Sequence, residues 1–417
     1  MFDNAAHVVS EFRQLAAYAV LLASYLVFAI GKFPGMKIDR PGAAIIGAVA
    51  MIALGVIMPQ DVLRLIDFST VVLLFAMMLI VAYLHQAGFF DWVSHLIAVW
   101  LKPHHLLPAV IFTSGILSAF FVNDIVCLAM VPIVLNATRR LGVKPLPYLL
   151  ATATSSNIGS VATITGNPQN ILIGSLSGIP YTKFMYTLGP VALAGLAIDW
   201  AVIHYVCIRQ GIAAGHSEAP GPLRPADAAL LLKPAAVVAA VLAGFILGFP
   251  PALVASLGAA AMLISRTRNP REVYDEVDWG LLIFFLGLFV IIGGAQEAGV
   301  NAYLLKTADR WSLRNPVVFT VAVALLSNVV SNVPAVMLIK PAVAGFSSPH
   351  MGWLLLAMAS TLAGNLTITG SIANIIVAEQ ARKEAEIRFQ DYFAIGLPVT
   401  LLTLAVGALW LWWMGRP

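Results

Sequence analysis

The sequence places hydrogen-bonding residues in the middle of long apolar runs, and this feature restricts the fold more than any other. Between residues 118 and 174 there are two such interruptions, Phe121-Val122-Asn123-Asp124 and the segment from Thr163 to Asn170. In a bilayer, polar groups away from water are tolerated only where protein or a cavity covers them. The interruptions therefore predict a helical hairpin and a broken helix that are enclosed by other helices.

Composition assigns the chain to the membrane. Of its 417 residues, 60% are hydrophobic and 11% are charged, whereas soluble globular proteins carry roughly 25% charged residues. The apolar runs are longer and more continuous than the alternating segments of about ten residues that build a membrane β-barrel. We predict an all-α polytopic membrane protein. The net charge of +4 comes from basic loops, and no nucleic-acid partner is predicted.

With about 20 residues per span, the apolar runs predict two similar halves. The first half covers 14–208 and contains a hairpin at 106–137 and a broken helix at 147–176. A cytoplasmic linker is predicted at 209–232. The second half covers 233–414 and contains a hairpin at 316–345 and a broken helix at 351–380. Scaffold helices complete each half.

An internal duplication supports this division. Asp67 aligns on Asp278 at an offset of 211, Asn123 on Asn332 at 209, and Thr163 on Thr367 at 204. If each hairpin enters and leaves on one side, each half has five crossings, and an odd number inverts the second half. Inverted repeats with broken helices at the midplane are typical of secondary transporters.

The distribution of basic residues predicts the orientation. One side collects 16 of the 24 Lys and Arg residues and the other collects 7, while Lys340 lies inside a hairpin. Because cytoplasmic loops are enriched in Lys and Arg, the first side is predicted to be cytoplasmic. Both termini then face outward from a bacterial inner membrane, and the two hairpin tips meet near its centre.

Polar residues at the tips and breaks are the candidate substrate ligands, because amides and hydroxyls can hold a small polar solute without adding charge. The alternative is that they only cap helix ends or relieve kinks. Gly166 and Gly370 are expected to allow the unusual backbone of the breaks, and Pro168 prevents a continuous helix. The candidate ligands are Asn123, Thr165, Asn167, Asn170, Asn332, Thr369, Ser371 and Asn374.

Two charged residues are candidates for ion coupling. Asp124 follows the first hairpin turn, and an acid at membrane depth is functional by default. It could bind and release a proton during transport, or it could pair with a helix terminus or with Lys340. Lys340 lies eight residues beyond Asn332 and either acts as a built-in cation or reaches the membrane surface.

The sequence has no nucleotide-binding loop, metal-ligand spacing or nucleophile triad. We therefore predict neither an enzyme nor a cofactor or metal. The energy for transport would come from a proton or sodium gradient, unless a separate ATPase docks on the chain.

The two repeat cores resemble the ion transporter superfamily, which contains ArsB-type arsenite permeases, NhaD-type sodium/proton antiporters and divalent-anion/sodium symporters. The first hairpin, with Asn123, Asp124 and Pro132, is similar to the Asn-Asp hairpin of the ArsB and NhaD branches. The segment from Gly166 to Asn170 resembles the Gly-x-Pro-x-Asn break found across the superfamily. The similarity extends over nearly the whole chain.

The resemblance implies an elevator mechanism, in which hairpins and broken helices slide against a scaffold that usually dimerises. The dicarboxylate symporters carry Ser-Asn-Thr in both hairpins. Here the matching triplets are Val122-Asn123-Asp124 and Ser331-Asn332-Val333, so both threonines are missing. This difference favours an ArsB-type substrate, the neutral hydroxide of As(III) or Sb(III).

Three interpretations follow. The first is proton-coupled efflux of arsenite and antimonite, with Asp124 as the coupling group. The second is a sodium/proton antiporter, or a cation-coupled symporter of a dicarboxylate or inorganic anion with Lys340 helping to neutralise the anion. The third is a channel-like subunit that works with an arsenite-stimulated ATPase.

Overall fold

The protein is described here by a computed structural model, which covers residues 2–31, 35–100, 103–208, 228–264 and 269–415. Within these ranges the regular structure is helical. We number the α-helices of eight or more residues, and those of the first half are α1 (Phe2–Ile30), α2 (Arg40–Ala53), α3 (Phe68–Gln86), α4 (Phe89–Trp100), α5 (Pro103–Phe120), α6 (Asn123–Leu141), α7 (Leu146–Ser160), α8 (Pro168–Ser177) and α9 (Tyr181–Ile203).

The second half repeats this order from its first helix to its last. Its helices are α10 (Ala228–Ile246), α11 (Pro251–Leu263), α12 (Trp279–Glu297), α13 (Val300–Arg310), α14 (Pro316–Val330), α15 (Asn332–Ile339), α16 (Pro349–Leu362), α17 (Ile372–Ala381) and α18 (Phe389–Met414).

Both predicted hairpins and both predicted broken helices are present. Helices α5 and α6 are joined by a tight turn at Phe121 and Val122, and α14 and α15 are joined at Ser331. The backbone between α7 and α8 and between α16 and α17 leaves the α-helical path and forms short 3₁₀ turns. The all-α fold predicted from the sequence is confirmed.

The boundary after the first half differs from the prediction. Helix α10 begins at Ala228, inside the predicted 209–232 linker, whose residues 209–227 lie outside the described part of the chain. Lys233 lies within the first two turns of this helix. Its ammonium group donates hydrogen bonds to the carbonyls of Met262 and Ile264 at the end of α11, so the charge is accommodated beside the helix.

Aspartates fix the start of several helices. Asp67 accepts hydrogen bonds from the backbone N–H groups of Ser69 and Thr70 at the start of α3, and Asp278 accepts one from Leu281 at the start of α12. An acidic cap satisfies N–H groups that lack helical partners and interacts favourably with the helix dipole. The two caps are the residues that the duplication aligns at an offset of 211.

The helices pack in two groups. In the first, which we name the frame, α2 packs on α12, α3 on α11, and α1 and α10 on their neighbours. In the second, which we name the core bundle, α5 packs on α7, α6 on α17, α14 on α16, and α9 and α18 cover the broken helices. Helices α4 and α13 connect the two groups, since each contacts the frame helix before it and the second arm of the hairpin after it.

Among the described residues, five helices are long and apolar enough to cross a membrane by length and composition. They are Glu11–Ile30, Phe68–Gln86, Tyr181–Cys207, Trp279–Glu297 and Phe389–Met414. Three of the hairpin arms, α5, α14 and α15, and one half of a broken helix, α17, belong to the shorter apolar helices. This is the pattern expected when several elements end within the membrane.

Candidate functional site

Both hairpin tips and both breaks meet at one cavity of about 290 Å³, which we name the central cavity. Its lining includes Asn123 and Asn332 from the tips and Gln169 and Ser371 from the breaks. The frame contributes the remaining wall through the first turns of α2 and α12. The volume is at the lower end of the roughly 300–1,000 Å³ of small-molecule sites, so the cavity suits a small solute.

The two tip asparagines present unpaired acceptors. Asn123 is 4% exposed and Asn332 is 9% exposed, and neither side-chain oxygen has a hydrogen-bond partner within the described residues. Beside Asn332, Ser331 has a φ of 75°, a conformation that side-chain-bearing residues rarely adopt and that often occurs at functional sites. Buried acceptors without partners are costly, so the tips are built to bind something.

Four helix N-termini point to the central cavity. Helices α6 and α15 begin at the hairpin tips, and α8 and α17 begin immediately after the breaks. The first N–H groups of a helix have no partners within it and carry partial positive charge. The wall of the cavity therefore contains backbone hydrogen-bond donors as well as the two asparagines.

Asn157 on α7 connects three of these elements. Its Oδ1 accepts hydrogen bonds from Asn123 Nδ2 at 3.0 Å and from Ser371 Oγ at 2.9 Å. Its Nδ2 donates to Oδ1 of Asn365 and to Oδ1 of Asn374, both at 2.9 Å. One fully paired amide thus ties the first hairpin tip and the first broken helix to the second break.

Thr361 on α16 makes the reciprocal connection. Its hydroxyl accepts hydrogen bonds from Asn167 Nδ2 and Gln169 Nε2, both at 3.2 Å, and donates to Asn170 Oδ1 at 3.4 Å. Asn157 and Thr361 are equivalent at the offset of 204 found for the breaks. Each broken helix therefore braces the break of the other half.

Several predicted ligands brace the breaks and do not line the central cavity. Asn170 donates from Nδ2 to the carbonyls of Ser160 and Thr163 at 3.0 Å, and Asn374 makes the same contacts with Gly364 and Thr367. Asn167 caps α8 by accepting from the N–H of Asn170 at 2.8 Å. The prediction that these amides contact substrate therefore lacks support from their positions.

The two predicted threonine ligands are also outside the central cavity. The Thr165 hydroxyl lies 3.0 Å from that of Tyr181 in a fully buried environment, and Thr369 is exposed near Thr367. Of the eight predicted ligands, the structure brings Asn123, Asn332 and Ser371 to the cavity wall.

The glycines of the breaks serve packing and do not provide unusual dihedral angles. Neither Gly166 nor Gly370 has a positive φ. A Cβ atom at Gly166 would lie 2.2 Å from the carbonyl oxygen of Ser160, and one at Gly370 would lie 2.8 Å from Asn328 Oδ1. Our explanation from backbone freedom was therefore wrong, although Pro168 does begin α8 as expected.

Asp124 lies on the wall of the central cavity. It belongs to the first turn of α6, and its carboxyl group interacts with the backbone N–H of Ala373 near the start of α17. Two helix N-termini therefore stabilise its negative charge. Of the two partners predicted for it, a helix terminus and Lys340, the structure shows the helix terminus.

The described lining of the central cavity has three carboxyl groups and one guanidinium group. Besides Asp124 these are Asp39 and Asp278, which cap α2 and α12, and Arg40, whose Nε donates to the carbonyl of Phe28 at 3.0 Å. These three residues belong to the frame or to the segment before it, whereas Asp124 belongs to the core bundle.

Lys340 is not among the residues that line the central cavity. It follows the last turn of α15, and its Nζ lies 4.0 Å from Met337 Sδ. The nearby carboxyl group that acts on it electrostatically is that of Asp67, at the start of α3. The structure therefore does not place Lys340 where it could neutralise an anion bound at the hairpin tips.

A second cavity of about 710 Å³ lies between α3, α4 and α6. It includes His85, whose Nδ1 lies 2.9 Å from Glu276 Oε2, but neither hairpin tip and neither break. Its position between the frame and the first hairpin identifies it as a crevice between the two helix groups. The central cavity remains the candidate substrate site.

The sequence did not point to Asn157, Thr361 and Asp278 as parts of the site. The first two lie on apparently ordinary segments of α7 and α16 before the breaks. The internal alignment contained a signal, because the offset of 204 pairs Asn157 with Thr361, two polar residues at membrane depth. In the sequence, Asp278 is notable only as the first residue of the segment that aligns with the segment starting at Asp67.

The sequence is similar to a known protein family and to named transporters. The model of the citrate transporter family CitMHS matches residues 25–363. The silicon efflux transporter LSI3 of Oryza sativa subsp. japonica is 32% identical, over 90% of this chain and 92% of its own. The putative transporter arsB of Dictyostelium discoideum is 24% identical, over 89% and 87% of the two chains.

The fold also matches a solved structure, the YdaH transporter of Alcanivorax borkumensis. The TM-score is 0.64 at 14% identity, and the match covers 98% of both chains. At this identity the likeness concerns the fold alone. The family match over most of the sequence, with a relative that is 32% identical over 90% of this chain, shows that the chain belongs to the CitMHS citrate transporter family of the ion transporter superfamily and is a secondary transporter, not an enzyme.

Proposed function

We propose that this transporter is a proton-coupled efflux carrier for arsenite and antimonite, which it binds as neutral hydroxides in the central cavity. The observation that carries the proposal is the combination of unpaired amide oxygens on Asn123 and Asn332 with four helix N-termini at the same cavity. A neutral hydroxide can donate its hydrogens to the amides and accept hydrogen bonds from the backbone N–H groups.

The charges around the cavity argue against a multivalent anion such as citrate. The described lining has three carboxyl groups and one guanidinium group, and carboxylates repel an anionic ligand in a site of reduced dielectric constant. A neutral solute avoids this repulsion. The absence of threonine after either tip asparagine, with Asp124 and Val333 in its place, points in the same direction.

The names of two relatives support a hydroxide substrate. One is described as a silicon efflux transporter and another as arsB. Dissolved silicon is silicic acid at neutral pH, an uncharged hydroxide, and arsenous acid is uncharged under the same conditions. A site that binds one uncharged hydroxide by hydrogen bonds offers the same donors and acceptors to the other.

Asp124 is the proposed coupling group. It lies on the wall of the central cavity, so its protonation changes the charge that the substrate meets. Its position on the core bundle would carry it with the hairpins, whereas Asp278 would stay with the frame. A carboxyl group that moves with the substrate site can exchange a proton with each side in turn.

The two helix groups support an elevator mechanism. In this proposal the core bundle slides along the frame, and the central cavity opens alternately to the two sides. The reciprocal contacts of Asn157 and Thr361 agree with two inverted halves. The excess of Lys and Arg in the loops of one side supports an orientation with both termini outside the bacterial inner membrane. The core bundle moves as a unit because these contacts hold its two halves together.

Transport by the purified chain in proteoliposomes tests the proposal. With an imposed pH gradient, arsenite and antimonite should move in exchange for protons, and a sodium gradient alone should have no effect. Movement driven only by sodium, or movement of citrate without arsenite, would support the cation-coupled anion symporter instead. Arsenite transport that requires an added ATPase would contradict secondary transport of this substrate.

A further inference from the structure

The hydrogen bonds around Asn157 have a fixed direction. Asn374 Nδ2 donates to the backbone carbonyls of Gly364 at 2.7 Å and Thr367 at 3.0 Å. A carbonyl can only accept, so the amide of Asn374 has one orientation, with its oxygen toward Asn157. Asn365 is held in the same way, because its Nδ2 donates to the carbonyl of Thr154 at 3.2 Å.

This direction passes through Asn157 to the hairpin tip. Asn157 Nδ2 must donate to the two fixed oxygens, so its own oxygen faces Asn123 and Ser371. Asn123 then has to use Nδ2 toward Asn157, and its Oδ1 is the atom left without a partner among the described residues. Backbone carbonyls of the second break thus decide which atom of Asn123 is free.

We infer that Asn157 is a positioning residue that fixes Asn123 as a hydrogen-bond acceptor and thereby selects a hydroxyl-bearing neutral ligand over an anion. Asn332 supplies a second buried acceptor, since its Oδ1 also lacks a partner within the described chain. The inference rests on the proposed function and assigns its specificity to a residue that lies behind the substrate site.

Other ligand classes fit this arrangement less well. A carboxylate or sulfate has no hydrogen to donate, so the fixed oxygen of Asn123 would stay unpaired when it binds. A site built to bond a ligand hydroxyl rejects an analogue without one more strongly than an apolar pocket rejects a change of size. A sodium ion would satisfy the oxygens and is attracted by the three carboxyl groups of the lining, but it cannot pair the backbone N–H groups at the helix N-termini.

The test compares ligand preference in variants of the full chain. Arsenous acid and silicic acid are the hydroxide probes, citrate and sulfate are the anion probes, and sodium chloride tests cation binding. Silicic acid is included because arsenous acid also reacts with thiols, and the chain has Cys127 and Cys207. Apparent Kd values come from ligand-dependent thermal stabilisation of the purified protein.

Asn157→Leu should weaken binding of both hydroxides by about tenfold, the effect expected when one buried hydrogen bond is lost, without weakening binding of the anions. Asn157→Asp should keep the preference, because a carboxylate still accepts from Asn123 and Ser371, although it loses its donations to Asn365 and Asn374. The Asp variant should therefore melt earlier but select normally. A purely structural role would impair both variants alike.

Ser360→Ala is the matched control, because the Ser360 hydroxyl is buried and bonds only to carbonyls of its own helix, at 2.7 and 3.3 Å. It should leave the preference unchanged. If Asn157→Leu does not fold, Asn123→Ala replaces it, since this variant removes the acceptor and leaves the other contacts of Asn157 in place. Loss of hydroxide preference in Asn123→Ala together with a retained preference in Asn157→Asp supports the inference.

The outcomes separate the inference from the proposed function. If the wild type prefers hydroxides and Asn157→Leu, or Asn123→Ala in its place, keeps that preference, the positioning role is wrong and the function stands. If the wild type binds citrate, sulfate or sodium in preference to the hydroxides, both the inference and the proposed substrate class are overturned.

Discussion

Asn157 and Thr361 occupy equivalent positions on the two broken helices, and each hydrogen-bonds to the break of the opposite half. Asn157 reaches Ser371 and Asn374, while Thr361 reaches Asn167 and Asn170. These contacts join residues about 200 positions apart in the sequence, and they unite the core bundle around the central cavity. Some polar residues hold this bundle together and others contact the solute, and substitutions should affect stability in the first group and transport in the second.

Asn170→Ala should destabilise the protein strongly. The Asn170 amide pairs two buried carbonyls, those of Ser160 and Thr163, and each buried group left without a partner costs about 1–3 kcal/mol. The apparent melting temperature of the purified protein should fall clearly. Thr403→Ala is the control, because the Thr403 hydroxyl bonds only within its own helix. If Asn170→Ala melted at the same temperature as the Thr403→Ala control, the break would not need the hydrogen bonds of Asn170.

Gly166→Ala should be more harmful than Gly370→Ala. The added Cβ at Gly166 meets a backbone oxygen at 2.2 Å, whereas at Gly370 the nearest atoms are Asn328 Oδ1 at 2.8 Å and the carbonyl oxygen of Gly364 at 2.9 Å, so the overlap to be relieved is smaller. Expression and melting temperature measure the difference. Gly189→Ala should change stability by less than about 1 kcal/mol, because its Cβ would have no neighbour within 4 Å. The reverse order would contradict the packing explanation.

Asp124→Asn should abolish transport driven by a pH gradient and leave folding intact. The asparagine amide has nearly the same shape as the aspartate carboxyl group, but it does not bind or release a proton near neutral pH. Substrate counterflow without a gradient should persist in proteoliposomes. Asp278→Asn is the matched control on the same cavity, because asparagine is also a good helix cap and should retain coupling. Undiminished proton-driven flux in Asp124→Asn would remove Asp124 from the mechanism.

Lys340→Gln should leave the substrate affinity within about twofold of the wild type, a change of less than about 0.5 kcal/mol. The side chain lies away from the central cavity, so it does not contact a bound solute. The KM for arsenite in proteoliposomes measures this directly. An increase of tenfold or more, with unchanged protein stability, would return Lys340 to the binding site.

If the core bundle slides along the frame as proposed, Tyr25→Phe should shift the balance between the two positions of the core bundle. The Tyr25 hydroxyl on α1 donates to the carbonyl of Pro334 on the second hairpin at 2.9 Å, which links the frame to the core bundle. A neutral hydrogen bond contributes about 0.5–1.5 kcal/mol, so its loss should change the population ratio by about two- to tenfold. Thiol labelling at Ser331→Cys from each side detects such a shift, and an unchanged ratio would show that this bond does not hold one state.

Sequence patterns predicted the helices, hairpins and breaks because membrane helices carry their boundaries in their apolar lengths. Interrupted apolar runs at Asn123 and Gly166 cannot form ordinary spans, and the internal duplication located their counterparts at Asn332 and Gly370. The two helix groups could not be predicted in the same way. A membrane helix can be apolar on every side, so its sequence does not show which face packs against which neighbour.

The candidate site was predicted only in part. Composition showed which polar residues lie at the breaks, but it could not separate Asn170, which pairs backbone carbonyls, from Asn123, whose oxygen is free. That distinction depends on which donors and acceptors meet after folding. Lys340 was predicted as a site residue because of its charge alone. The structure shows that it follows the end of α15 and does not line the central cavity.

Access to Ser331 from the two sides of the membrane tests the central claim most directly. In a chain with Cys127 and Cys207 replaced by serine, Ser331→Cys on the wall of the central cavity is treated in proteoliposomes with a membrane-impermeant maleimide from one side at a time. A carrier with a single alternating cavity predicts labelling from both sides and protection by arsenite from each. Labelling from only one side under all gradients, or labelling that arsenite does not reduce, would contradict it.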